Sequence, residues 1–235
     1  MKEGNYLRPE LFEEKFNVLV ALDEDKSMQL RGKIDRTDVL YSSEQDSLRY
    51  RVVDYKSSNQ DIKLNKIYDG VQLQLAIYTG IMKDILNAKT GLEGVTENTK
   101  IIPEGMYYYG MEDPYINVKN EADVDKERAK KLKLYGLENK NSAFDTVIQY
   151  ADKKAKDLAM EILNGNIAKT PLNESRNTAC TYCPYSACCR FDEKYGGNSY
   201  KFLKYGDRVM DTPGIINCME EELGINKKEV DADAK

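Results

Sequence analysis

The run Arg51-Val52-Val53-Asp54-Tyr55-Lys56-Ser57-Ser58 sets a carboxylate and an ammonium two residues apart at the end of an apolar segment. In a strand, residues i and i+2 share a face, so Asp54 and Lys56 project side by side. A carboxylate that holds a divalent cation, next to a lysine that steadies a water or a developing charge, suits metal-assisted cleavage of a phosphodiester. A strand-end salt bridge leaves the same trace, so the other parts must come from elsewhere. Leu30, Gly32 and Ile34 share one face while Arg31, Lys33 and Asp35 take the other, and Asp35 ends the apolar alternation. It reads either as a hairpin-turn residue or as a second metal carboxylate on the strand beside Asp54. The second reading requires a suitable pairing offset. Glu10, Glu13 and Glu14 read singly as surface acids. Glu13 is an additional candidate for the site, and so is Arg36 beside Asp35.

A second pattern lies downstream, Cys180-x2-Cys183-x5-Cys189, with Cys188 adjacent and Cys218 further on. Two thiolates at x2 spacing can clasp one metal or one cluster corner, and a third can close from the next turn. Buried cysteines seldom group this way, so metal or cluster binding is favoured over packing, with zinc and iron both open.

The 235 residues carry five cysteines, no histidine and a net charge of −5. The missing histidine excludes Ser-His-Asp and Cys-His catalysis and imidazole-built zinc sites. No Gly-x4-Gly-Lys-Ser/Thr loop is present, so no nucleotide motor is expected in this chain. An odd, clustered cysteine set is unlike a secreted disulfide framework. No apolar run approaches the ~18 to 20 residues of a membrane span, and the N-terminus lacks a signal-peptide core. A cytoplasmic protein with no membrane partner is expected. The acidic balance argues mildly against a nucleic-acid partner, but a local basic groove can coexist with an acidic remainder.

The elements that must position these groups follow in order. Phe16–Leu22 and Met28–Leu40 read as strands, and a polar turn at 41–47 leads into the strand ending at Lys56. A helix is expected from about Gly70 to Asn87 with Leu73, Ile77 and Ile81 inward; Gln74 and Tyr78 share its edge. A loop covers 88–103, and Glu104–Met111 is an aromatic strand. Lys126, Arg128, Lys130, Lys131 and Lys133 form the densest basic run, a solvated face or a phosphate-contacting patch. A helix from Ala143 to Leu163 carries Phe144, Ile148, Ala151, Ala155, Leu158 and Ile162 in one stripe, with Ser142 as its cap and Gly165 as its stop. The tail from Glu220 reads as frayed. The expected units are a core over 6–170 that carries Asp54-x-Lys56, a cysteine-rich segment over 171–205 and a C-terminal tail over 206–235.

Taken together these stretches resemble the RecB-type nuclease domains of the PD-(D/E)XK superfamily, and among them the AddB-type domains of helicase–nuclease enzymes. Gly32-Lys33-Ile34-Asp35-Arg36-Thr37-Asp38 is similar to Gly-x-Ile-Asp-Arg-x-Asp, Asp54-Tyr55-Lys56-Ser57 to Asp-Tyr-Lys-Ser/Thr, and Gln74-x3-Tyr78 to Gln-x3-Tyr. The cysteines followed by Phe191-Asp192 are similar to the family's iron–sulfur staple, and Gly196 to Tyr200 also fits the AddB type. The resemblance implies an α/β, restriction-endonuclease-like core, a mixed central sheet flanked by helices, with a C-terminal cysteine-rich iron–sulfur loop, so that 6–170 is a nuclease core and 171–205 an iron–sulfur staple. It implies Mg2+ (or Mn2+) on Asp35, Asp54 and the Tyr55 carbonyl, Lys56 as the catalytic lysine, and Gln74 and Tyr78 positioning the scissile phosphate. It implies Cys180, Cys183 and Cys189 as ligands of a 4Fe-4S cluster. The implied function is a DNA exonuclease domain that processes double-strand ends for recombinational repair, with DNA and a helicase–nuclease A subunit as partners. The family's metal-binding histidine and its first cluster cysteine lie upstream of such a core, so the chain is expected to be a C-terminal piece of a larger subunit. A non-catalytic nuclease-like DNA-binding module and a stand-alone CRISPR adaptation nuclease are the rival readings.

Overall fold

A computed structural model describes residues 7–58, 60–88, 92, 95–111, 135–138, 143–174, 177–204 and 212–225. The main sheet has five strands in the order β1-β2-β3-β4-β5: β1 Arg8–Ala21, β2 Ser27–Ser42, β3 Ser47–Lys56, β4 Lys100–Gly110 and β5 Tyr135–Glu138. β3 and β4 are parallel and the other neighbours antiparallel, so the sheet is mixed. A parallel pair needs a crossover connection, and α1 (Leu64–Tyr68) and α2 (Gln74–Ala88) supply it. The mixed α/β architecture expected from the sequence is what the chain adopts.

Alternation along β3 sends Leu48, Tyr50 and Val52 into the core. There they meet Leu75, Met82 and Leu86 of α2 and Met106 of β4. Tyr50 donates its hydroxyl to the Thr79 carbonyl at 2.7 Å, satisfying a fully buried polar group. The stripe α2 buries is Leu75, Thr79, Met82 and Leu86; Leu73, Ile77 and Ile81 only flank the core. The helix is apolar around much of its girth, so periodicity admits either stripe, and Thr79 joins the inner one by bonding its hydroxyl to the Leu75 carbonyl at 2.8 Å. α3 (Ala143–Leu163) buries Phe144, Val147, Tyr150 and Ala151, and then its inner stripe ends: Ile162 is 74% exposed. Gly165, at φ 78°, follows that helix as expected. The basic run at 126–133 and the cap at Ser142 lie outside the described residues.

A small sheet, β7-β6-β8, brackets the cysteine-rich segment: β6 Leu172–Glu174, β7 Asn177–Thr178 and β8 Lys201–Phe202, with α4 (Ser186–Cys189) between. It is tied to α1 by Lys66 on Glu174 at 2.6 Å and by Lys204, whose backbone N–H reaches Asp69 at 2.8 Å. The C-terminal segment is not frayed at Glu220. α5 (Thr212–Leu223) runs through it and buries Ile215, Ile216 and Met219 in the common core. Glu222 accepts the hydroxyls of both Tyr68 and Tyr150, whose rings stack at 5.3 Å. Burial pushes its carboxyl up, but those hydroxyls with Lys154 and Lys204 hold it below the ordinary range. Among the described residues no helix is long and apolar enough to cross a membrane.

Candidate active site

β2 and β3 pair from Ser42↔Ser47 to Arg36↔Val53 and then part. β2 continues beside β1 alone, to Ala21↔Ser27, while β3 continues beside β4 to Lys56↔Gly110. Asp35 and Asp54 stand where the two strands fork. Asp35 Oδ2 takes the backbone N–H of Tyr55 at 3.0 Å, bridging the crotch. The offset that the hairpin needed is therefore present.

A change of phase delivers Asp35. Leu30 and Ile34 turn toward the core at even positions, but Thr37, Val39 and Tyr41 do so at odd ones. The slip falls at Asp35–Arg36. β1 slips at the same level, with Phe16 and Val18 inward above and Leu11 inward below, and Glu13 there has φ 53°. Irregularities of this kind re-aim a side chain at a strand junction and are common beside active sites.

The face of β3 that carries Tyr50 and Val52 continues to Asp54 and Lys56. Asp54 is 4% exposed. Its Oδ2 is fully buried without an aligned hydrogen bond and meets the Lys56 ammonium at 2.6 Å as an ion pair. Burial raises the Asp54 carboxyl above its ordinary range, Lys56 opposes that shift, and the charge of Asp35 adds to it. Gln74, at the start of α2, gives its Nε2 to Asp54 Oδ1 at 3.3 Å and to Tyr78 Oη at 3.2 Å, and its Oε1 accepts from Lys56 at 3.3 Å. Tyr78 packs edge-on against Phe16. A Cβ at Gly32 would stand 3.1 Å from the Tyr78 hydroxyl and 2.6 Å from the Phe16 ring, so the glycine makes room for both. Asp35, Asp54, Lys56, Gln74 and Tyr78 are thus brought together.

The family model of the PD-(D/E)XK nuclease superfamily matches residues 1–190. The chain belongs to that superfamily. Its Asp54-x-Lys56 pair has the residue types and spacing of the (D/E)XK in the superfamily's name, and the mixed sheet with packed helices fits the superfamily's fold. Among curated proteins the chain is similar to the B subunit of the ATP-dependent helicase/deoxyribonuclease of Thermoanaerobacter sp. (strain X514), 28% identical over 91% of this chain and 21% of the relative. It is similar to the proteins of that name from Clostridium kluyveri, 30% identical over 87% and 21%, and Clostridium tetani, 30% identical over 88% and 20%. The chain spans about a fifth of the length of these relatives.

Three candidates stand differently in this PD-(D/E)XK fork. Glu13 is paired with Lys33 on the β1–β2 ribbon. Tyr55 gives Asp35 its N–H and offers its phenol oxygen to Arg36 at 3.3 Å. Arg36 faces the opposite side of the sheet, clasping Asp38 at 2.5 and 2.9 Å. Arg51 reaches the same carboxylate at 2.7 Å, and the Asp38 side chain is wholly buried between them. This knot lies behind the fork and holds β2 to β3 just before they part. Sequence reasoning misses it, although opposite charges at facing positions of a hairpin, Asp38 and Arg51, are a signal for it. Sequence reasoning also misses Tyr108, which faces Asp54 from β4. Burial, then the Asp54 charge, pushes its phenol up to about 12, and the Lys56 ammonium lies 5.4 Å from its ring centre.

The donor set at the fork fits a hard divalent cation. The buried Asp54 oxygen has no aligned hydrogen bond beyond its ion pair with Lys56, a second carboxylate is close enough to perturb it, and Mg2+ asks for one or two carboxylates while keeping its waters. Among the described residues no three His, Cys, Asp or Glu side chains converge to hold a metal, so the described residues offer two carboxylates here, Asp35 and Asp54. The same finding applies to the cysteines. Cys180, Cys183 and Cys189 are unpaired thiols on successive turns, none buried. Their chemistry suits a cluster or zinc, but they do not converge in the fold described.

Proposed function

We propose that the fork is the catalytic centre of a Mg2+- or Mn2+-dependent deoxyribonuclease, acting as the exonuclease domain of a cytoplasmic helicase–nuclease that processes double-strand DNA ends for recombinational repair. The observation that carries this reading is the meeting of Asp35, Asp54, Lys56, Gln74 and Tyr78 at one strand junction. Asp35 and Asp54 would hold the cation, with the Tyr55 carbonyl as a further oxygen donor. When bound there, a divalent ion supplies an acidified water and neutralises charge on the phosphate oxygens.

The protein's own groups do the rest. Lys56, held between Asp54 and Gln74, keeps a positive charge where negative charge develops on the phosphate, in a partly dehydrated setting where such charge counts for more. Gln74 bonds to Asp54 and Lys56 together and fixes their spacing, so that neither has to reorganise as substrate arrives. Tyr78 fixes Gln74 in turn and is itself seated by Phe16 and Gly32. The three spaced cysteines would form corners of a 4Fe-4S cluster, with the fourth ligand from Cys188, Cys218 or an upstream part of the larger protein. The helicase–nuclease A subunit would be the partner in the assembled enzyme.

The test is hydrolysis of linear DNA with Mg2+ by the chain joined to its upstream region. Cleavage that disappears in Asp54→Ala and Lys56→Ala supports the assignment, and cleavage that survives both substitutions overturns it. Visible absorbance with bound iron would identify the cluster, whereas a colourless protein with stoichiometric zinc would replace it.

A further inference from the structure

Beyond Asp35, β1 and β2 leave the sheet as a two-stranded arm that walls one side of the fork, paired from Glu14↔Ile34 to Ala21↔Ser27. Its inner face is apolar: Phe16 and Ile34 are core residues, and Val18 and Leu30 pack against them. Alternation turns the other positions outward. There the register sets Lys15 opposite Lys33 and Asn17 opposite Arg31, with Gln29 one step further out. Asn17, Gln29, Arg31 and Lys33 are exposed.

Two lysines directly opposed on a ribbon repel each other, and Glu13 pairs with Lys33 of the two. Three cations gathered on one face also stand out in a chain whose net charge is −5. One acid enters the band at its base, where Glu13 is paired with Lys33, so Lys15 and Arg31 carry the rest of its charge; Asp23-Glu24-Asp25 forms the turn at the tip. From Lys33 to Gln29 the band runs about 13 Å, roughly four steps of a nucleic-acid strand. It begins two residues from Asp35.

We propose that this outward face of the arm is a phosphate-contacting surface for the DNA strand entering the fork, with Lys15, Arg31 and Lys33 as its cations. The inference rests on the reading of the fork as a DNA-cleaving centre; because the band faces away from α2 while Asp54 and Lys56 face it, the band would hold the strand where it passes around the edge of the fork. The acidic turn bounds the surface, so the strand crosses the base of the arm and does not follow it to the tip. Contacts of this kind read no bases, so the binding is independent of sequence and falls with salt.

The experiment is fluorescence anisotropy of the full chain with a labelled single strand of mixed sequence, in EDTA to prevent cleavage, across a salt series. A Lys15→Gln/Arg31→Gln variant is expected to bind about tenfold more weakly near 0.1 M salt, with a log–log salt slope shallower by about 1.4. Lys153→Gln, on α3, is expected to leave both quantities unchanged. A double variant that matches the wild type in affinity and slope overturns the inference and leaves the fork reading intact. A wild-type chain that binds no strand also overturns it, and Asp54-dependent cleavage then decides the fork reading separately.

Discussion

The fork and the cysteine loop carry the two most telling residue patterns in the chain, and they are built in opposite ways. At the fork the candidate side chains stand on a strand or helix beside core residues: Asp54 lies two positions after Val52, and Gln74 precedes Leu75. From 179 to 200, by contrast, no residue is buried. The bonds that shape that loop are short-range backbone turns, such as Cys183 N–H to the Cys180 carbonyl at 3.2 Å and Cys189 N–H to the Tyr185 carbonyl at 2.9 Å. Sheet register fixes geometry at the fork, whereas the cysteine loop has only its own turns to shape it; if the proposed cluster binds there, its thiolates would add to that order. The same division appears within β3. Its even side chains, Asp54 and Lys56, face the helices and meet at the fork, while its odd side chains face the Asp38 knot.

The largest expected effect breaks the fork itself. Asp54→Ala or Lys56→Ala should lower Mg2+-dependent cleavage by on the order of 10³ or more, measured as initial rates on linear DNA. Asp54→Asn should do the same without loss of fold. Its sign in stability follows from the raised carboxyl. Asp54 is easier to protonate in the folded chain than in the unfolded one, so its contribution is fully present below its ordinary value of 3.8 and is lost as pH rises through the higher folded value. The metal-free Asn variant should therefore melt at or above the wild type at neutral pH, and the difference should close in acid. Added Mg2+ should raise the wild-type melting temperature at neutral pH and leave the Asn variant's unchanged.

Next comes the knot behind the fork. Asp38→Ala strands two largely buried guanidinium groups, and a buried pair broken from one side typically costs about 3 kcal/mol. Denaturant unfolding measures it. An unfolding midpoint equal to the wild type's would show that β2 and β3 are held by their backbone ladder alone. Gly32→Ala should cost less, about 2 kcal/mol, because its Cβ forces the Phe16 ring aside. It should also displace Tyr78, so cleavage should fall by more than the stability loss explains. Activity that tracks stability alone would remove Tyr78 from the site.

What is legible in the sequence follows from the range of the signals. Asp54-x-Lys56 is a local pattern on a strand, and Gln74-x3-Tyr78 a local pattern on a helix, so both can be read from spacing. The meeting of Asp35 with Asp54 depends on hairpin offset and on a phase slip shared by Glu13 and Asp35, and no single-strand alternation encodes a slip in two strands at once. The inner stripe of α2 escapes periodicity because Ile77 and Leu75 are equally apolar, and the choice between them lies with Tyr50 and Thr79 on different elements. Burial of α5 escapes for a similar reason: Glu222 reads as a surface acid until Tyr68 and Tyr150 are placed against it.

The smallest expected effect sharpens the comparison most. In the iron-free chain, Cys183→Ser should change stability by less than about 0.5 kcal/mol, the range of a surface substitution, because the thiol packs against no core. In iron-loaded protein the same change should cost several kcal/mol and abolish visible absorbance, because thiolate ligation then supplies the order that the loop lacks. The two measurements together separate a loop organised by its ligand from one organised by its fold. A large loss in the iron-free chain would mean that the cysteine loop, like the fork, is shaped before anything binds.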